Sequence, residues 1–395
     1  MSSSLTEVLD GHREKVGEFC DEDIASLREV LATVADPRHR RGVRYVFTEV
    51  LLLCAAAVLS GAKSLTMISE WAADAHQRGL IGSWKRMPSI PTLHRIAAKT
   101  DPETLDAAIH TWIRLYRAHQ AASREQKTGS KPQVQAVAVD GKEVRGSKHA
   151  GGTKTFLMGA LEHTSGVVLA QESVHEKSNE IPHLPALLEK LGPLEGTVIT
   201  ADALHTLHQQ ATAITSRGGH YLFTVKTNAK TLHTQISQAG WGRRKPRHQK
   251  REKAHGRTSS WEVTVMTAPG FIDFPKAAQI IRLQRGRHEH RHRDDETTGE
   301  FVYAITSLPA KTASPKVLAE LLRGHWSIEN RLHWVRDTAY SEDISQIRTG
   351  NAAHVMASLR NLAISTLRLA GETNITAAIR HYGRDPRLAA QLTGL

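Results

Sequence analysis

The chain has 395 residues, 40% of them hydrophobic and 23% charged, which allows two or three domains with a sizeable core. Two cysteines, Cys20 and Cys54, exclude a disulfide framework or a cysteine zinc cluster. Lys+Arg 52 against Asp+Glu 40 leaves a net charge of +12, and this excess favours a polyanionic partner, nucleic acid ahead of an anionic membrane.

The opening MSSSLTEVLDGHREK carries acids and no apolar stretch of a signal peptide. The apolar run Val50 to Leu59 is too short to span a bilayer. A soluble, cytoplasmic protein with no membrane partner is expected. Residues 5 to 35 read as helical, with Asp21 able to cap a helix through Ile24, Leu27, Leu31 and Val34. Asp36 to Arg44 (DPRHRRGVR) reads as a loop; it is either a solvated loop or a phosphate-contacting arm led by Arg40 and Arg41. A nearly all-apolar helix over 46–60 forms the core of an α-helical N-terminal domain, residues 1–128. Helices at 64–79, 90–99 and 102–120 complete it, in a set that suits a DNA-binding module as well as any small helical bundle. Polar Ala121 to Gln133, with Gly129 and Pro132, marks the boundary.

Alternation of strands and helices follows. Strands are predicted at Val134–Val139, closed by Asp140-Gly141, and at Thr155–Leu161 and Val167–Val174, joined by a hairpin turn at 163–166. A helix at Pro182–Leu191, a strand at Gly196–Ala201 ending in Asp202, a helix at Ala203–Arg217 and a strand at His220–Val225 come next. Three meandering strands, then helix, strand, helix and strand, is the order of an α/β ribonuclease-H-like core. Its first part would be residues 129–227 and its second part, with C-terminal helices, residues 301–395. Between them, 228–300 reads as a β-rich basic insertion, with strands at Trp261–Thr267 and Gln279–Gln284. Its runs Arg243–Arg257 and Arg285–Arg293 are dense in cations, so Arg243 and Arg244 are candidate DNA contacts. His288, His290 and His292 alternate there as a basic DNA-facing edge or a metal-binding strand.

Residues 325–343 (HWSIENRLHWVRDTAYSED) read as one helix with Leu321, Ile328, Leu332 and Val335 on its buried side. Glu329 sits about a quarter turn from that stripe, with His325, His333 and Arg336 near it on the wheel. A later helix passes through Val355, Leu359, Leu362 and Leu367, and 374–395 reads as a short helix and a tail. Asp140, Asp202 and Glu329 thus form a candidate cluster, since strand ends adjacent in a ribonuclease-H-like sheet meet and the last helix packs across that edge. Phosphoryl transfer on nucleic acid needs such a group to hold two divalent metals about 3.5–4 Å apart. Hard oxygen ligands suit Mg²⁺, with Mn²⁺ as a substitute. Asp337 and Asp343 are spare acids that rival Glu329 as third ligand.

The segments AVAVDGKEVRGS (136–147), TADALHT (200–206) and HWSIENRLHWVRD with SED (325–343) resemble the DDE transposases of bacterial insertion sequences. The branch is the one that includes the H-repeat-associated proteins. DPRHRRGVRYVFTEVLLLCAAAVLSGAKSLTMISEW also resembles the domain preceding the catalytic core in that branch, so the resemblance covers nearly the whole chain. It implies that Asp140, Asp202 and Glu329 are the catalytic, metal-binding triad. It implies cleavage of double-stranded DNA at terminal inverted repeats, joining of the freed 3′-OH to target DNA, a homodimer in the synaptic complex and nucleoid association. A related signature places a Tyr, an Arg and a Lys around the Glu; here no Tyr is evident before Glu329, and Arg336 stands where the Lys would fall. Lys142, Arg145, His205, Asn330, Arg331 and Arg336 are candidate DNA contacts, each with a packing or solvated role as the alternative. The other readings are a nuclease without strand transfer and a DNA-binding protein domesticated from a transposase.

Overall fold

The structure is a computed structural model that describes residues 26–395 apart from 42, 82–83, 129–133, 148–153, 175–179, 243, 255–256 and 290–297. Cys20, Asp21, Arg243, His290 and His292 lie outside the described residues. Ser26 caps α1 (Leu27–Leu31) with Glu29 in a reciprocal capping box. Then come α2 (Phe47–Leu59), α3 (Leu65–Gln77), α4 (Ile90–Lys99) and α5 (Pro102–Thr128). The last runs through the first eight residues of the expected linker, because Ala121-Ala122-Ser123-Arg124-Glu125-Gln126-Lys127 is rich in helix formers.

Strand β1 spans Gln135–Val144, followed by β2 (Thr155–Glu162) and β3 (Val168–Val174). Asp140-Gly141 therefore lies inside β1 and does not close it; the far half continues because β2 flanks it. Next are α6 (Leu184–Leu191), β4 (Thr197–Ala201), α7 (His208–Thr215), β5 (His220–Val225) and α8 (Lys230–Ser237). Four antiparallel strands follow: β6 (His248–Ala254), β7 (Arg257–Thr267), β8 (Gln279–Glu289) and β9 (Thr298–Thr306). Helices α9 (Pro315–Gly324), α10 (Trp334–Thr338), α11 (Ala352–Leu369), α12 (Ile375–Arg384) and α13 (Pro386–Thr393) end the chain. Two helices, α12 and α13, thus stand where one helix and a tail were expected.

Packing groups these elements into two units interleaved along the sequence: Met1–Lys131 with Gly141–Asn179 and Glu329–Leu395, and Pro132–Asp140 with Glu180–Ile328. In the second unit the strand order is β1-β4-β5-β9-β8-β7-β6. β1, β4 and β5 are parallel, and β9 joins antiparallel to β5. The β-rich insertion therefore extends the sheet. Its core gathers Val198, Leu222, Val263, Ile281 and Leu283 under Leu318 of α9.

In the first unit the order is β3-β2-β1. A helix apolar on every side must be covered on every side, and α2 is packed by α3, α11 and α13. A chain of buried polar groups crosses the same interior. Glu342 has no exposed surface and pairs with Arg336 and Arg360, each at 2.8 Å. Arg336 also donates to Asn361 Oδ1 at 3.5 Å, and Asn361 donates to Gln171 Oε1 at 2.6 Å. Gln171 reaches Asp106 of α5, which pairs with His354 at 2.8 Å. Burial pushes the Glu342 carboxyl up, but the two guanidinium charges outweigh it and hold it at about 2.

Glu342→Gln leaves two buried guanidiniums without their counter-charge and should cost about 3–5 kcal/mol in urea unfolding at pH 7. The stabilisation from the depressed carboxyl is complete above 4.5, the ordinary value, and is lost as the pH falls from there towards 2. The gap between wild type and variant should therefore be smaller at pH 3 than at pH 7.

Candidate active site

In the second unit the site starts from strand register. β1 and β4 run parallel with Val139 opposite Ala201, so Asp140 and Asp202 are the next residues of two neighbouring strands at the same sheet edge. Asp140 is half-buried and Asp202 exposed. Asp202 also caps the 3₁₀ turn Ala203–His205: its Oδ1 accepts from Leu204 N at 2.8 Å, which fixes the carboxylate where the strand ends. The expected helix from Ala203 is thus a 3₁₀ turn followed by α7. His205 is buried in that turn, with Nε2 3.3 Å from Glu180 Oε2.

His325 stands near Glu329 on a helical wheel, yet its Nδ1 lies 3.3 Å from Thr200 Oγ1 on β4. Burial lowers its pKa, and the nearby Asp202 charge opposes this. This placement was missed because it depends on β4, 125 positions away in sequence; the only local signal is Thr200 alternating with Ala201 on the strand.

In the first unit the expected unbroken helix over 325–343 is divided. Glu329–His333 is a single π-helical turn, α10 follows, and Glu342–Ile344 is a 3₁₀ turn. Such widened turns recur at functional sites. Here the polar side chains pull in different directions. Glu329 Oε2 meets His333 Nδ1 at 2.9 Å, while Arg331 donates to the carbonyls of His163, Thr164 and Ser165 in the β2–β3 turn. That guanidinium lies against Gly166, where φ is +74° and a Cβ would stand 2.6 Å from Arg331 Cζ. The apolar stripe is buried as expected, with Leu321, Ile328, Leu332 and Val335 inside.

Glu329 is half exposed, and the bond from His333 holds its carboxyl below the usual range against partial burial, with the charges of His333 and Lys142 adding to the effect. Lys142 is buried and meets Asp337 at 2.7 Å and Asp343 at 3.5 Å, and Arg145 pairs with Asp343 at 3.3 Å. Burial pushes the Asp337 carboxyl up, Lys142 opposes it, and Asp343 and Glu342 add to the rise. The two spare acids are therefore engaged with Lys142, whereas Glu329 faces a histidine.

Of the candidate DNA contacts, Lys142, His205 and Arg336 are buried, and Arg331 grips backbone carbonyls. Arg40, Arg41, Arg145, Asn330 and Arg244 are exposed. Gly146, in VRGS, is the residue sequence reading passed over. A Cβ there would stand 2.5 Å from Ser345 O and 2.9 Å from Glu342 O, and its own carbonyl accepts from Arg348. The backbone leaves no room beside Glu342, so Gly146→Ala should lower stability by about 1–3 kcal/mol in thermal or urea unfolding.

Residues 131–366 match the family described as Transposase DDE domain, and residues 28–113 match the family described as DDE_Tnp_1-associated. YncI of Escherichia coli O157:H7, a transposase by name, is 27% identical over 87% of this chain and 88% of its own length. The H repeat-associated protein YhhI of Escherichia coli strain K12, also a transposase by name, is 27% identical over 87% of this chain and 91% of its own. YbfD of the same strain, likewise H repeat-associated, is 27% identical over 64% of this chain and 98% of its own. Among the described residues no helix is long and apolar enough to cross a membrane. With its DDE domain over more than half its length and its associated N-terminal domain, the chain belongs to the DDE transposase family.

Proposed function

We propose that this protein is a transposase that binds the terminal inverted repeats of its element and cuts and joins DNA there, on a ribonuclease-H-like core. The observation that carries the reading is the register that sets Asp140, inside β1, beside Asp202, the residue just after β4, in a chain of the DDE family. Glu329 is the third acid. The donors suit a hard divalent cation, Mg²⁺ with Mn²⁺ as substitute: they are carboxylates, and Asp202 keeps one oxygen beyond its bond to Leu204. Glu329 Oε2 and His333 Nδ1, 2.9 Å apart, could each offer a ligand atom. A bound divalent ion supplies Lewis-acid polarisation of a phosphate and a water made more acidic.

The protein's own groups prepare that chemistry. The turn after β4 fixes Asp202, and His333 orients Glu329 and favours its charged form. Lys142, held by Asp337 and Asp343, keeps positive charge close to Glu329. Exposed Arg145, Asn330, Arg40, Arg41 and Arg244 are the cations and amide we assign to double-stranded DNA, both element end and target. A homodimer in the synaptic complex, at the nucleoid, completes the reading.

The test uses linear duplex DNA carrying the inverted repeats that flank the gene, with Mg²⁺ or Mn²⁺ added. Wild type should nick at the repeat ends, and Asp140→Ala, Asp202→Ala and Glu329→Gln should each lose about 10³-fold or more, roughly 4 kcal/mol of barrier. Cutting by Glu329→Gln at the wild-type rate would remove Glu329 from the triad. Salt-sensitive binding with no cutting by any of the four proteins would replace the enzyme by a DNA-binding protein on the same fold.

A further inference from the structure

A cleft of about 590 Å³ opens among the N-terminal helices, bounded by the arm Arg38–Tyr45, the segment around Arg86–Ser89 and one side of α4. Its lining contains Arg38, Arg41, Arg44, Arg86, Arg95 and Lys99 and, among the described residues, no carboxylate. Arg38 is braced: both its Nε and Nη2 donate to Asp36, and Nη2 also donates to Tyr45 O at 2.7 Å. The other five are exposed, and among the described residues none of them pairs with an acid. Tyr45 in turn donates to Met87 O and lies against Trp84, so the arm and the second segment are held together.

Five cations around one concavity, none paired with an acid among the described residues, repel one another, and an anion with charges repeated along its length relieves that repulsion at several points at once. The hydroxyls of Ser89 and Thr92 lie on the same lining as further donors. We propose that this cleft holds the phosphodiester backbone of duplex DNA, so that Arg86, Arg95 and Lys99 join Arg41 and Arg44 as phosphate contacts. This deepens, and rests on, the transposase reading. From the arm alone Arg40 and Arg41 stood together as contacts; the cleft takes Arg41 without Arg40 and adds cations from two later elements. Phosphate contacts position a duplex without reading its bases, so the cleft should serve any sequence alike.

The full chain is titrated with a labelled duplex of the element end, a scrambled duplex and an RNA of equal length, each over a range of salt. Wild type is compared with Arg86→Gln/Arg95→Gln/Lys99→Gln and with a control, Lys276→Gln/Lys311→Gln/Lys316→Gln, that removes the same charge elsewhere. The cleft variant should bind both duplexes at least 10-fold more weakly at low salt, with the slope of log K against log salt shallower by about 2–3, at roughly 0.9 per phosphate contact. The control should keep the wild-type slope. Equal effects of the two variants, or an equal loss of RNA binding, would overturn the assignment to duplex DNA. Wild-type binding of the duplex with an unchanged slope in the cleft variant would overturn the cleft alone and leave the transposase reading standing. No binding of any duplex by wild type would overturn both.

Discussion

Glu342 has no contact with water, and its charge is tolerable only because two guanidiniums meet it. Burying one carboxylate between two cations leaves a net positive charge inside, which the oxygens of Asn361 and the Lys63 carbonyl help to balance. This contact decides what Arg336 is. At seven residues past Glu329 it stands where a lysine would fall in the related signature. Inside the fold it is a bolt between α10, the 3₁₀ turn and α11. The same bolt fixes the backbone carbonyls that crowd Gly146. From there a run of hydrogen bonds leads through Gln171 to Asp106 and His354.

The two aspartates depend on a different constraint. Parallel strands in register place equivalent residues side by side, and a slip of one residue would turn one carboxylate to the opposite face of the sheet. Val139 opposite Ala201 therefore does for the acid pair what Glu342 does for the helices. The charges around Glu329 are arranged on the same economy of contacts. Lys142 answers two acids at once, which leaves Glu329 paired with His333 and half exposed.

Much of this was legible in the residues. The run VLLLCAAAVL could only be a covered helix, and period-2 stretches ending in Asp marked the two strands. The stripe Leu321, Ile328, Leu332 and Val335 lies inside as its spacing indicated. What stayed hidden depends on partners remote in sequence. A helical wheel puts His325 beside Glu329, but Thr200 claims it. Lys142 and Arg331 look like free cations until Asp337, Asp343 and the turn carbonyls are brought to them. The π turn left no local mark, since its residues fit an α-helix equally well. Asp140-Gly141 reads as a stop signal, and only a neighbouring strand shows why the chain keeps going.

The interleaving of the two units also has a bearing on how the chain is made. The covering of α2 comes partly from α11 and α13, more than 290 residues further on. While the polypeptide emerges from the ribosome, that apolar helix has no complete shelter, and a nascent chain must keep it from sticking to others. The segment that closes over it is the same one that delivers Glu329. The covering of α2 and Glu329 thus arrive together, so a product truncated before them lacks both.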